Sequence, residues 1–172
     1  LKSFAERRLG WLLLKRVEEN EADASILDNR NKWTADALRS FDRAIAHAPD
    51  DSDARLGRGV ALARLGRHRE SFDALKRSLA LTSNPAPLAN LYTAECIRAL
   101  HDYQPEALIH LTAAVNADQE RLHLPIYRFI VDHGARFLAP GSPHFHELAG
   151  AALEYRGLES SFWEAVGAFA DE

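Results

Sequence analysis

The sequence predicts an all-α fold of about nine helices, packed as antiparallel pairs that stack on one another. Three observations carry this. Helical periodicity runs through the chain, while sustained polar/apolar alternation and Asn-Gly or Asp-Gly hairpin turns are absent. Breakers fall at intervals that suit helices of about 12 to 17 residues. A small–large–small triplet also returns at nearly constant spacing: Ala37, Phe41 and Ala44, then Ser71, Leu75 and Ser78, then Ala107, Leu111 and Ala114.

The elements follow in order. A first helix is expected over 3–19, rich in leucine, arginine and glutamate, which are good helix formers. Residues 18–32 read as an insertion, an acidic helix extension and then an Asn- and Asp-rich surface loop. Helices over 33–47, 53–65 and 69–81 come next, the second pair turning at Gly66. The run Ser83-Asn84-Pro85-Ala86-Pro87 breaks the chain before helices over 87–101 and 105–117. A helix over 121–138 ends at Ala139-Pro140-Gly141-Ser142-Pro143, and two more are expected over 144–156 and 159–170. In the last, Phe162, Val166 and Phe169 form one apolar face with Trp163 beside it, suited to capping the final exposed face of a stack.

The recurring residue sizes have a packing reason. Glycine, alanine or serine at facing positions lets two helices approach to the short end of the about 8–10 Å range, and the large residue between them fills the remaining hole. A second register, Gly59, Leu62 and Gly66, is echoed by Gly150, Leu153 and Gly157. One helix pair cannot cover its own apolar face, so successive pairs share a core.

This spacing resembles the tetratricopeptide repeat, a helix–turn–helix unit of about 34 residues. Ala37-Leu38-Arg39-Ser40-Phe41-Asp42-Arg43-Ala44 followed by Pro49 matches its second-helix pattern. Residues 52–85 give the fullest unit, and 87–119 keep Ala94, Ile97, Leu100, Ala107, Leu111 and Ala114. The signature tryptophan is replaced by Arg55 and by Asn90. The resemblance implies one domain over 1–172, with units at 3–51 (carrying the insertion 18–32), 52–85 and 87–119, and degenerate or capping helices over 120–172. It further implies a right-handed superhelical stack, an α-solenoid.

Composition and motifs bound the chemistry. The chain has 172 residues, 47% hydrophobic and 27% charged, with a formal net charge of -4. No chain-wide attraction to nucleic acid or anionic lipid is expected. The longest wholly apolar run is Trp11 to Leu14, too short to span a membrane. The lone Cys96 excludes an internal disulfide and reads as a core residue of an apolar helix. The chain starts at Leu1 and has no methionine, so a processed form or an excerpt is expected, and the compartment stays open with a slight preference for the cytoplasm over the periplasm. His144, His146, Glu147 and His133 lack a zinc-ligand spacing, and no metal or other cofactor is expected. No nucleophile elbow or phosphate-cradling glycine loop is present, and an enzyme is not expected. The cluster Arg64-Leu65-Gly66-Arg67-His68-Arg69 has no interleaved aromatic residue to stack on bases and reads as a solvated turn.

The expected function is non-catalytic binding of a partner protein. The resemblance implies a concave groove lined by the first helices of successive units, which receives a peptide or a helix. It places Arg7, Trp11 and Lys15 there in the first unit, Leu56, Val60 and Arg64 in the second, and Leu91, Tyr92, Glu95 and Arg98 in the third. An aromatic and aliphatic floor flanked by arginine suits a partly acidic ligand. The lysine–asparagine clamp of one subgroup is absent: Arg7, Trp11, Gly57, Leu88 and Tyr92 stand at its positions. A helical arm of a larger enzyme or secretion machine and a small secretion chaperone are the alternatives. A monomer is expected, with a weak homodimer through the C-terminal helix as its rival.

Overall fold

Helix α1 (Lys2–Glu19) pairs with α2 (Leu27–His47), and α3 (Ser52–Arg64) pairs with α4 (His68–Ala80). Further on, α5 (Pro87–His101) packs on α6 (Pro105–Ala117), and α6 meets α7 (Leu124–Phe137). The computed structural model describes residues 1–101, 105–120, 123–137, 148, 150 and 151, and among these all regular structure is helical. They fall into two compact units, Leu1–Pro85 and Ala86–Glu172. Seven helices are described where about nine are expected. Leu148, Gly150 and Ala151 are helical within the expected 144–156 segment, whereas the 159–170 helix lies outside the described residues.

In the first unit the pairs are antiparallel, as their short connections require. Ser3 Oγ at the start of α1 donates to the Ala44 carbonyl near the end of α2 at 3.2 Å. Ser71 Oγ donates to the Gly59 carbonyl at 2.7 Å, and Ser78 Oγ to the Ser52 carbonyl at 2.7 Å. The two serines of the α4 triplet therefore give close approach and also satisfy carbonyls of the facing α3. All nine triplet residues are buried. Phe41 is fully buried between α1 and α3, where a Cβ on Gly10 would lie 2.7 Å from its ring and one on Gly57 only 2.2 Å away. A Cβ on Gly59 would meet Leu75 at 2.6 Å, so α3 and α4 pack here without room for a larger residue. Gly150 differs from its sequence echo: a Cβ there meets no described atom within 4 Å.

Local chemistry sets the boundaries. Asp51 caps α3, its carboxylate accepting from the Ala54 amide at 3.0 Å. Gly66, at φ +74°, ends that helix: the Arg67 amide donates to the Leu62 carbonyl and the Gly66 amide to the Ala63 carbonyl, both at 2.9 Å. This is the paired closure that a left-handed residue after a helix permits.

The insertion is a correction. Residues 27–32 are not loop: α2 begins at Leu27, six residues before the expected 33, after a 3-10 turn over Ala24–Ile26. Asp23 initiates it by accepting from the Ser25 amide at 2.9 Å and from Ser25 Oγ at 2.6 Å. These bonds hold the Asp23 carboxyl below the ordinary aspartate range. The Arg16 guanidinium lies 4.1 Å from the centre of the Trp33 ring, tying the end of α1 to α2.

Candidate partner-binding surface

In α1, Arg7, Trp11 and Lys15 recur every four residues and share one face. Arg7 does not stand open. Its Nη1 donates to both oxygens of Asp51 at 3.0 and 2.9 Å, and its Nε lies 3.3 Å from Asp53 Oδ2. The Trp11 indole N–H donates to Asp53 at 3.2 Å, while its ring meets Phe41 edge-on with centroids 5.4 Å apart. Lys15 is exposed and lies 3.7 Å from Glu19. Asp51 thus caps α3 and also anchors α1 to it, through a partly buried charged pair that water screens less than an exposed one.

Leu56 and Val60 are 5% and 3% exposed, so in α3 they belong to the core. Arg64 stands a turn further on, half-buried, with Nη1 4.0 Å from Glu21. The neighbouring Arg67 grips Glu70 with two hydrogen bonds of 2.7 and 2.6 Å, drawing the Glu70 carboxyl below and the Arg67 guanidinium above their ordinary ranges. The basic turn is therefore largely compensated from within.

In the second unit Leu91 is buried, whereas Tyr92, Glu95 and Arg98 are half-buried and recur every three residues along one face of α5. Arg98 Nε is buried and has no hydrogen-bond partner among the described residues. The opposite side of α5 is structural. Asn90 is buried and lies 2.9 Å through Oδ1 from His110 Nδ1 on α6. Burial holds His110 below the ordinary histidine value.

Beyond these, the turn from α6 to α7 is built on Asp118, a buried carboxylate absent from the sequence reading. It accepts from the His123 amide at 3.1 Å, from His123 Nδ1 at 2.9 Å and from the Tyr127 hydroxyl at 2.8 Å. Cys96 is fully buried on α5, as its apolar surroundings imply. His133 packs on Phe129 at 4.7 Å between ring centres, and among the described residues no three His, Cys, Asp or Glu side chains gather as metal ligands. His144, His146 and Glu147 lie outside the described residues. No described helix is long and apolar enough to cross a membrane.

Asp51 and Asp53 are the residues that the sequence reading missed. The signal was present in Asp50-Asp51-Ser52-Asp53, a helix-capping run whose second acid is also free to meet a cation on the preceding pair. Residues 24–84, from the 3-10 turn through α4, match the family model of the tetratricopeptide repeat. No curated protein matches the chain.

Proposed function

We infer that this chain, whose residues 24–84 belong to the tetratricopeptide repeat family, is a non-catalytic scaffold that binds a peptide or a helix of a partner protein. The single observation that carries the reading is that match, since such repeats generally mediate protein–protein interaction. The small–large–small triplets and seated Phe41 of the helix pairs are what such a repeat needs to stack. The binding residues proposed are those of the first helices: Arg7, Trp11, Lys15 and Arg64 in the first unit, over the buried Leu56 and Val60, and Tyr92, Glu95 and Arg98 in the second, over Leu91.

The residues divide into two kinds of contact. With Arg7 paired to Asp51 and Asp53, the first unit offers the half-exposed Trp11 ring and a compensated field, which suits an apolar anchor of the partner. In the second unit Arg98 offers a guanidinium beside the half-buried Tyr92 ring, which suits an acceptor such as a carboxylate or a backbone carbonyl. The arm of a larger machine and the secretion chaperone remain versions of this same binding role.

The test is capture. The purified chain and a Tyr92→Ala, Arg98→Ala double variant are each used as bait, and retained proteins are identified by mass spectrometry. A partner held by the parent and lost by a variant of equal far-UV helical signal is the expected result. A partner held equally by both contradicts the assignment of the surface.

A further inference from the structure

We propose that a cavity between α2, α3 and α4 binds an acidic side chain of a partner peptide, its carboxylate received by Arg55, Arg58 and Arg77. The cavity measures about 390 Å3 and is lined by Ile45, Arg55, Arg58, Glu70, Asp73, Ala74 and Arg77. It lies wholly within the first unit. At 3.6 residues per turn, Arg55 and Arg58 leave α3 roughly half a turn away from Leu56, Val60 and Arg64, so it is a surface distinct from the proposed first-helix face.

The charges of the lining decide the ligand. Arg55 spends Nε and Nη2 on the Pro49 carbonyl, which positions the guanidinium without cancelling its charge. Arg58 gives Nε to Asp42, at 2.8 Å, and among the described residues its two terminal nitrogens make no hydrogen bond. Arg77 is exposed and makes no ion pair or hydrogen bond among the described residues, although Asp73 precedes it by one helical turn. Glu70 is already gripped by Arg67. Two guanidinium groups without a carboxylate partner, and a third with its fork open, form a receptor for a planar anion. Glu70 and Asp73 in the same wall oppose a dianion, which selects a singly charged carboxylate over a phosphate. Ile45 and Ala74 supply apolar wall for the methylenes of a glutamate. A volume near the lower end of the about 300–1,000 Å3 range of ligand sites suits one side chain rather than a folded partner element.

The test follows amide shifts of the 15N-labelled full chain during titration with N-acetyl-tetraglutamate amide. Saturable shifts at Ile45, Ala74 and Arg77 are expected, with N-acetyl-tetraglutamine amide giving none. Arg77→Gln, an exposed substitution whose helical signal is checked first, weakens binding about tenfold. Asp73→Asn tightens it severalfold by removing a like charge. Lys76→Gln, an exposed change on α4 outside the lining, binds the peptide as the parent does, which ties the loss to Arg77 rather than to net charge. Unchanged affinity in Arg77→Gln, shifts confined to α1 or α5, or equal shifts from inorganic phosphate at the same concentration would each overturn the proposal.

Discussion

Phe41 fixes how the first unit is put together, and it does so by excluding side chains from its neighbours. Gly10 and Gly57 lie 31 and 16 residues from it in sequence, and each leaves room for one flank of the ring. The triplet containing Phe41 was legible, because it repeats. Its two glycine partners were not legible as a seat, since nothing local marks a glycine for a ring so far along the chain. Gly59 was legible through its spacing, and a Cβ there would lie 2.6 Å from Leu75 of α4. Gly59→Leu drives a side chain into Leu75 and is expected to cost about 1–3 kcal/mol, read as a lower Tm. An unchanged Tm contradicts that register. Arg7 makes the opposite point: the resemblance assigned it to ligand, and the structure pairs it with Asp51 and Asp53. A double-mutant cycle of Arg7→Ala and Asp51→Ala should give a coupling of about 0.5–3 kcal/mol, and additive effects would show that the pair contributes nothing.

At the scale of elements, periodicity located most of the helices, and α5 and α6 fall on their expected ranges. The exception was the start of α2, because Asn and Asp in 28–31 read as loop formers. Their low intrinsic preference is offset by initiation at Asp23, by the Arg30 guanidinium donating to the Glu21 carbonyl and by Trp33 under Arg16. The α6–α7 turn was equally hidden, since one carboxylate serving three donors leaves no periodic trace. Asp118→Ala removes an acceptor of the buried Tyr127 hydroxyl and of the His123 amide, and is expected to cost about 1–3 kcal/mol. Faster hydrogen exchange at His123 and Tyr127 would accompany it. Unchanged exchange there would mean that the turn is held by other contacts.

The whole molecule has a modest net charge, and two of the three arginines the sequence offered to a ligand, Arg7 and Arg64, face carboxylates of the chain itself. This pairing was illegible because salt-bridge partners are set by packing rather than by neighbourhood along the chain. Global stability also carries a pH dependence. His110 has its folded pKa below the unfolded value, so the unfolded chain takes up the proton first. Its contribution is constant above about pH 6.5 and is lost as pH falls from there toward the folded value. Denaturant titrations at pH 7.5 and 5.5 should therefore show a smaller acid loss in His110→Gln than in the parent, and equal losses would remove His110 from the balance. The binding role itself is tested most directly by site-specific photo-crosslinking to the captured partner. A benzophenone side chain replaces either Tyr92, on the first helix of its pair, or Ile109, which is 65% exposed on the second. Crosslinks from position 92 and none from position 109 are the predicted result, and crosslinks from 109 alone would contradict binding through the first-helix face.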